Sequence, residues 1–323
     1  MESRKIIAVD CGIMNLKAKC GAEEKIYQNN YSIGNTDEFL IGKNTYNVTF
    51  KDKQLTLGQN AENSFAGEGK ESEMHMISTL TACTHFLDPE DTNENIYLMY
   101  GESVARYYNA SQRDDIISKL EGKHTITVDG KQYRFNIEHV HILPEGIGYV
   151  LNNLEDYLGV QYIVDIGGGT INILVVMNGR PVKEESVSFA LGIHNIKAKV
   201  LKALNELGIG EFKENLVDQY LKHGVSNLEV QKVIEKTIIE QLALLDRKLL
   251  DLGMNLHNIL KVHNVTFVGG GSDLLKTHIE KYYKGAFVVD DAVMANVRGF
   301  HTYGMAKFGQ LPKATTKTTK EKK

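Results

Sequence analysis

Two short segments about 155 residues apart have nearly the same pattern, and they constrain the fold more than any other feature of this chain. The first reads DCGIMNLK over residues 10–17, and the second reads DIGGGTIN over residues 165–172. Each follows a short apolar run typical of a β-strand and precedes a second strand-like stretch. We therefore predict two hairpin tips at equivalent places in two related halves of the chain.

A glycine at a hairpin tip has no Cβ, so backbone N–H groups there can line a concavity that binds anions. One such turn is usually an ordinary hairpin, but two in register, each between strands, are much rarer. They predict an α/β fold in which two lobes face one another, with phosphates between the hairpins and a nucleotide in the cleft. The sequence has no GxxxxGK[ST] and no GxGxxG that opens a helix after a strand, which excludes the P-loop and Rossmann alternatives.

Length, charge and cysteine spacing exclude several other classes of protein. A chain of 323 residues suits two domains, and a net charge of −4 gives no reason to expect nucleic-acid binding over the whole surface. The three cysteines lack CxxC spacing, which indicates neither a disulfide framework nor a zinc site. No apolar run approaches the roughly 18 residues of a membrane span, and no signal peptide precedes the first strand. We expect a cytoplasmic protein without membrane contact.

Phosphoryl chemistry needs charge neutralisation, a metal ion and an oriented nucleophile. The leading aspartates of the two turns, Asp10 and Asp165, are candidate ligands for Mg²⁺, through water because this ion loses its hydration shell reluctantly. The backbone of both turns provides candidate phosphate-binding groups, at Gly12, Ile13, Gly167, Gly168 and Gly169. Three side chains are further candidates: Asn15, Lys17 and Thr170. Each of these side chains also has an ordinary structural explanation. Asn15 suits a turn, Lys17 suits a solvated surface position, and Thr170 suits a strand.

Glu145 follows Pro144 where a predicted buried strand gives way to an amphipathic helix. A carboxylate at a helix N-terminus is stabilised by the helix dipole, which is the alternative explanation for this residue. The strand end just before the second turn should open toward the cleft, however. We therefore predict that Glu145 orients the attacking water.

A third glycine-rich segment also follows a predicted strand and precedes a helix: Gly269, Gly270, Gly271 and Ser272. We expect its backbone to lie against the base or ribose, with Ser272 as the helix cap. Residues 65–72 are rich in Gly, Glu and Lys instead, which predicts an exposed loop.

The order of these elements resembles that of the actin-like ATPase superfamily, in particular the ParM-type bacterial actins that segregate plasmids. The resemblance covers residues 4 to about 310. It is carried by ILPEG at residues 142–146, the preceding Asp-Gly hairpin at 129–130, the DIGGGT turn and the segment 289–299. By this resemblance Asn296 and Gly299 lie near the nucleotide and the interdomain hinge, and Asp165 joins Glu145 in catalysis.

The resemblance implies a duplicated, ribonuclease H-like fold with two lobes flanking the nucleotide cleft. The first lobe comprises residues 1–144, with a small insertion subdomain at about 31–80, and the C-terminal helix 300–310 completes it. Residues 145–299 form the second lobe. Residues 311–323 have no apolar periodicity and are expected to be a disordered basic tail.

The function implied by the resemblance is that of an ATPase that polymerises. It would bind ATP, with GTP as the alternative, together with Mg²⁺, assemble into dynamic filaments and hydrolyse the nucleotide after assembly. Plasmid segregation would also require an adaptor protein bound to centromeric plasmid DNA, so no direct sequence-specific DNA binding by this chain is expected.

Other functions remain open for the same fold. These are another prokaryotic or phage cytoskeletal actin, a sugar or acid kinase, a chaperone ATPase and a membrane-tethered scaffold. A kinase needs a large substrate pocket, whereas the small insertion at 31–80 favours a subunit contact. A chaperone would need a following substrate-binding domain, and a tethered scaffold would need an amphipathic anchor, which neither end provides.

Overall fold

A computed structural model describes residues 4–35, 44–65, 68–91, 94–153 and 159–309. The predicted basic tail, 311–323, lies outside the described residues, as does part of the predicted insertion, 36–43. Within the described ranges, no helix is both long enough and apolar enough to span a membrane.

The first half of the chain is rich in strands. In chain order they are β1 (Arg4–Cys11), β2 (Asn15–Cys20), β3 (Glu23–Gln28), β4 (Asn30–Ile33), β5 (Thr45–Phe50), β6 (Lys53–Gly58), β7 (Asn63–Ser64), β8 (Glu94–Glu102), β9 (Gly122–Val128) and β10 (Lys131–Pro144). The helices among them are α1 (Glu73–Thr84), α2 (Val104–Tyr107) and α3 (Ala110–Leu120).

The second half is richer in helices. Its strands are β11 (Val160–Ile166), β12 (Ile171–Met177), β13 (Arg180–Pro181), β14 (Val187–Phe189), β15 (Asn264–Val268) and β16 (Phe287–Val288). Its helices are α4 (Ile147–Asn152), α5 (Ile193–Asn205), α6 (Glu214–His223), α7 (Leu228–Leu250), α8 (Leu256–Ile259), α9 (Gly270–Leu274), α10 (Lys276–Tyr282) and α11 (Ala295–Phe308).

The two sheets repeat one strand order, as the paired turns predict. In the first lobe the order begins β3-β2-β1-β8-β10, and in the second it is β13-β12-β11-β15-β16 with β14 also on β12. In each, an antiparallel hairpin, β1–β2 or β11–β12, is followed by parallel strands. The predicted duplicated α/β fold is therefore confirmed.

The first lobe carries the extra strands, which extend its sheet in the order β9-β5-β6-β4-β7 beyond β10. The hairpin between β9 and β10 turns at Asp129 and Gly130, whose φ angles of 49° and 77° suit the Asp-Gly sequence there. This predicted hairpin is confirmed. Strand β10 pairs with β9 near its start and with β8 near its end, so it joins the outer sheet to the cleft.

Apolar periodicity explains how the helices cover the sheets. In the second lobe, α5 and α7 each bury one apolar stripe against the sheet, although α7 also exposes Leu228, Ile239 and Leu250. A separate apolar cluster lies between the lobes and includes residues from β1, β11, α4 and α11. Helices α4 and α11 cross within it at Gly148 and Gly299, where the missing side chains let the two backbones meet.

Candidate functional site

The start of helix α5 fixes the backbone of the second glycine turn. The carbonyl oxygens of Gly167, Gly168 and Gly169 accept hydrogen bonds from the amides of Ile193, His194 and Gly192, at 2.9, 3.0 and 3.1 Å. In a planar trans peptide the carbonyl and the following N–H point in opposite directions. The N–H groups that follow these carbonyls are therefore turned away from α5, and their residues, through Thr170, line the cleft.

One buried side chain, that of Asn29, fixes the backbone of the first turn. Asn29, which is 1% exposed, donates from Nδ2 to the carbonyl of Gly12 at 2.7 Å, and its backbone N–H donates to the carbonyl of Met14 at 2.8 Å. The hydroxyl of Ser78 on α1 donates to Asn29 Oδ1 at 2.6 Å and fixes the amide orientation. The N–H groups that follow those two carbonyls are thereby directed the opposite way.

The two turns approach each other closely across the cleft. A Cβ on Gly168 would lie 2.8 Å from Cγ of Met14, and one on Gly169 would lie 2.3 Å from Cδ1 of Ile13. A Cβ on Gly168 would also lie 3.2 Å from the backbone N of Met14, so a larger residue there would press the turns apart, whereas at Gly169 the end of the Ile13 side chain would have to move. The glycines serve the close approach of the lobes as well as an open backbone.

Asp10 at the end of β1 is buried between two lysines. Lys17 Nζ lies 3.0 Å from Asp10 Oδ2, and Lys70 Nζ lies 3.5 Å from Oδ1. Burial disfavours the charged form of Asp10, but the two ammonium groups outweigh it and hold the pKa of this carboxyl below its ordinary value. Asp10 is therefore ionised at neutral pH.

Glu145 follows directly after β10 and accepts a hydrogen bond on each carboxylate oxygen. Lys70 Nζ donates to Oε1 and Asn172 Nδ2 donates to Oε2, both at 2.7 Å. The Glu145 backbone N–H donates to the carbonyl of Glu102 at 2.8 Å. The carboxylate is thus held at the centre of the cleft rather than at the protein surface.

Asp165 is the penultimate residue of β11, on the opposite side of the cleft, and it is hydrogen-bonded to helix α11. Asn296 Nδ2 donates to Asp165 Oδ2 at 2.6 Å, and Asn296 Oδ1 accepts from the amide of Gly146 at 2.8 Å. Burial, together with the charges of Glu145 and Asp10, raises the pKa of Asp165 to about 7.

The charges in the cleft favour binding of a divalent cation. Four buried carboxylates line it, those of Asp10, Glu102, Glu145 and Asp165, and two ammonium groups, those of Lys17 and Lys70, oppose them. No cluster of three His, Cys, Asp or Glu side chains with metal-binding geometry occurs in the described part of the chain. Mg²⁺ commonly binds through one or two carboxylates and retains several waters, so the donors present fit this ion.

The third glycine segment forms the other end of the cleft. Gly269 has φ 88°, and a Cβ there would lie 2.2 Å from Asp165 Oδ1. Helix α9 begins immediately after it, which places Ser272 inside the helix. The prediction that Ser272 caps the helix is therefore wrong, because its hydroxyl donates to the carbonyl of Val268 at 2.6 Å and Gly269 is the N-cap.

The structure brings nearly all the predicted site residues together around one cavity of about 360 Å³. Of the predicted residues, those that line the cavity are Asp10, Gly12, Ile13, Asn15, Lys17, Glu145, Asp165, Gly167, Gly168, Gly169, Thr170, Gly269, Gly270, Gly271 and Asn296. Ser272 is fully buried and does not line it. The volume lies within the range of small-molecule sites.

Several residues of the site escape sequence analysis. The segment 65–72 is predicted to be an exposed loop, yet Phe65 is buried and Lys70 reaches the centre of the cleft. Lys70 has no apolar periodicity or motif around it that would have identified it. Asn29 and Asn172 lie in ordinary strand-like sequence. Asp218 on α6 and Asp273 on α9 line the end of the cavity near the third glycine segment.

Two family models match this sequence. The N-terminal domain model of the actin-like proteins matches residues 8–148, and the C-terminal domain model of the archaeal MreB-like actin homologues matches residues 163–281. Together they cover the two lobes and both glycine turns. A search of curated proteins by sequence finds no significant match.

Solved structures share the fold at low sequence identity. A 15-stranded ParM filament from Clostridium botulinum is 19% identical, with a TM-score of 0.74 over 95% of this chain and 100% of that one. An archaeal actin homologue in complex with ADP is 18% identical, with a TM-score of 0.72 over 94% and 99%. The apo ParM protein of pSK41 is 18% identical, with a TM-score of 0.69 over 94% and 97%. At such identities the likeness establishes the fold alone.

Proposed function

This chain belongs to the actin-like proteins, and on that premise we propose that it is a nucleoside triphosphatase that assembles into dynamic filaments. The nucleotide is ATP, with GTP as the alternative, and Mg²⁺ accompanies it. The observation that carries the proposal is the pair of glycine turns facing each other over Asp10, Glu145 and Asp165. In each turn, backbone carbonyls accept hydrogen bonds from neighbouring protein groups, so that the backbone N–H groups that follow them are directed to bind phosphate oxygens.

Different residues of the cleft bind the phosphates, the metal ion and the nucleoside. The amides that follow the hydrogen-bonded carbonyls bind phosphate oxygens, and Lys17 adds a positive charge beside them. Asp10 and Asp165 would hold Mg²⁺ through water, one from each lobe, and the bound ion would neutralise charge on the phosphates. The carboxylates of Asp218 and Asp273 provide acceptors for the ribose or base near Gly269.

Hydrolysis in this arrangement is a displacement by water. The water oxygen forms a bond to the terminal phosphorus while the bond from that phosphorus to the bridging oxygen breaks, and the electron pair leaves with the nucleoside diphosphate. Glu145 orients the water and accepts its proton, which then passes to solvent. The carboxylate is buried and hydrogen-bonded on both oxygens, which fixes its orientation in the cleft.

The arrangement of the two lobes couples nucleotide binding to filament assembly. Nucleotide contacts both turns, so its binding favours one lobe arrangement, and subunit contacts that prefer the same arrangement promote assembly. Loss of the terminal phosphate then weakens that preference. The use we propose for such filaments is plasmid DNA segregation in the cytoplasm, with an adaptor protein that binds centromeric DNA and no direct sequence-specific DNA contact by this chain.

The proposal is tested by following light scattering and phosphate release together after adding ATP and Mg²⁺. We expect scattering to rise and then to decay as phosphate is released. Glu145→Gln should still assemble but release phosphate at least about 100-fold more slowly, so that its filaments persist. Glu138→Gln, on the same strand but outside the cavity, is the matched control.

Two results would contradict the proposal. Absence of scattering at any protein concentration, with phosphate turnover only when a small acceptor is supplied, would favour a kinase. Equal phosphate release by Glu145→Gln and wild type would remove Glu145 from the chemistry.

A further inference from the structure

A short segment outside the glycine turns brings a positive charge into the cleft. We name residues 68–72 the strap. It connects the outer strands to helix α1, and Ser72 caps that helix by accepting from the amide of His75. Tyr31 OH donates to Glu68 Oε1 at 2.7 Å, and Arg106 pairs with Glu71. Both ends of the strap are thereby fixed to the first lobe.

Lys70 is the strap residue that enters the cleft. Its Nζ lies 2.7 Å from Glu145 Oε1, 2.7 Å from the carbonyl of Gly101 and 3.5 Å from Asp10 Oδ1. Its side chain is only 10% exposed. A buried ammonium with three oxygen partners has a fixed position, unlike a surface lysine.

Asn172 holds the other oxygen of Glu145 from the second lobe. Its Oδ1 accepts hydrogen bonds from Ser188 Oγ at 2.6 Å and from the amide of Val104 at 3.2 Å. Those donors fix which end of the amide is the oxygen, so Nδ2 is the end that faces Glu145 Oε2, at 2.7 Å.

We propose that Lys70 and Asn172 are positioning residues that hold Glu145 from both lobes, so that the carboxylate is set for hydrolysis only when the lobes place both donors within reach. Each oxygen of Glu145 has one fixed donor and keeps a further lone pair for water. A change in lobe angle would move Asn172 relative to Lys70 and turn the carboxylate. This inference rests on the proposed nucleotide hydrolysis and adds the means by which the lobes control it.

The first test separates positioning from nucleotide binding. Phosphate release at saturating ATP and affinity for a fluorescent ATP analogue are measured for wild type, Lys70→Met, Lys70→Arg and Asn172→Asp. Asn172→Asp keeps the Oδ1 acceptor but places a second oxygen opposite Glu145. We expect Lys70→Met and Asn172→Asp to lower kcat at least about tenfold while affinity changes less than about threefold, with partial rescue by Lys70→Arg.

The matched control is Lys119→Met. Lys119 also donates to the strap, at the carbonyl of Glu71 over 2.7 Å, but it does not line the cavity. Its removal should leave kcat within about twofold of wild type. A fall equal to that of Lys70→Met would show that the strap acts only through its stability and would overturn the inference.

The double variant Lys70→Met with Asn172→Asp provides the second test. If both residues act through Glu145, the combined loss of kcat should be close to the larger single loss, because one oriented carboxylate is lost only once. Multiplying losses, or a change confined to KM, would overturn the inference. If Lys70→Met fails to fold, as judged by circular dichroism, the kcat values of Lys70→Arg and Asn172→Asp test the inference.

The proposed function and this inference fail in different ways. Wild-type protein that neither binds nor hydrolyses nucleotide would refute both. Wild-type protein that hydrolyses ATP, with variants that match its kcat, would refute only the positioning roles.

Discussion

A Cβ atom on Gly299 would lie 1.8 Å from the carbonyl oxygen of Gly148, so helices α11 and α4 cross with their backbones in direct contact. No rotamer change can relieve that clash because the obstructing atoms belong to the backbone. The crossing lies within the apolar cluster between the lobes. The contact therefore holds α11 directly against α4.

Gly299→Ala should lower the free energy of unfolding by at least about 3 kcal/mol, since the helices must separate to admit one methyl group. Thermal unfolding without nucleotide measures the effect. Met305→Ala on the exposed side of the same helix is the control, and it should change stability by less than about 1 kcal/mol. Equal stability of Gly299→Ala and wild type would show that the helices do not cross this closely.

Asn29→Asp should weaken nucleotide binding at least about tenfold and cost about 2 kcal/mol of stability, because an oxygen would replace the donor to the Gly12 carbonyl. The acceptor for Ser78 is retained. Titration with a fluorescent ATP analogue and denaturant unfolding measure the two effects. Asn136→Asp, at a half-buried asparagine outside the cavity, is the comparison. Unchanged affinity would mean that the first turn needs no support from Asn29.

Asp165→Asn should stabilise the nucleotide-free protein by about 2 kcal/mol at pH 8, because it removes a buried charge beside Glu145 and Asp10. The asparagine can still accept from Asn296. The rise in Tm on adding ATP and Mg²⁺ should shrink or disappear in the variant. Asp114→Asn, at an exposed site, should do neither. A variant that keeps the full ligand-induced rise in Tm would exclude Asp165 from metal binding.

His85→Phe should flatten the acid dependence of stability. Burial lowers the pKa of His85 to about 4, from an ordinary value near 6.5. The unfolded chain therefore takes up a proton more readily, so stability is complete above about pH 6.5 and is lost as pH falls toward 4. Phenylalanine keeps the packing on Tyr27 and Tyr46 without titrating.

Unfolding in denaturant at pH 7.5 and pH 5 measures this dependence. Between those two values wild type should lose on the order of 1–2 kcal/mol more than His85→Phe. Replacing the exposed His263 by phenylalanine should leave the difference unchanged. Parallel pH profiles for wild type and His85→Phe would contradict a buried neutral histidine at this position.

Short-range patterns in the sequence predict the strands, both glycine turns and their duplication. Those features depend on neighbours in sequence: apolar runs, glycine and a leading aspartate. Sequence patterns do not identify Lys70 or Asn29, because the roles of these residues arise from contacts made across the fold, 75 residues apart for Lys70 and Glu145. A polar segment such as the strap has the composition of an exposed loop even when one of its side chains is buried.

The residue at which a helix begins is also hard to predict from the sequence. Ser272 has the residue type of an N-cap, but the left-handed backbone at Gly269 starts helix α9 earlier. The first turn of α9 then contains Ser272, whose hydroxyl bonds backward along the chain. Backbone angles of this kind depend on how closely Gly269 must approach Asp165, which local sequence does not encode.

Strand β10 provides a mechanical link between the outer strands of the first lobe and the cleft. It begins at Lys131, beside the hairpin, and ends at Pro144, one residue before Glu145. An extended strand of this length spans roughly 45 Å, and its neighbours β9 and β8 pair with it along its length. A force applied at the hairpin would therefore reach Glu145 along a single piece of backbone.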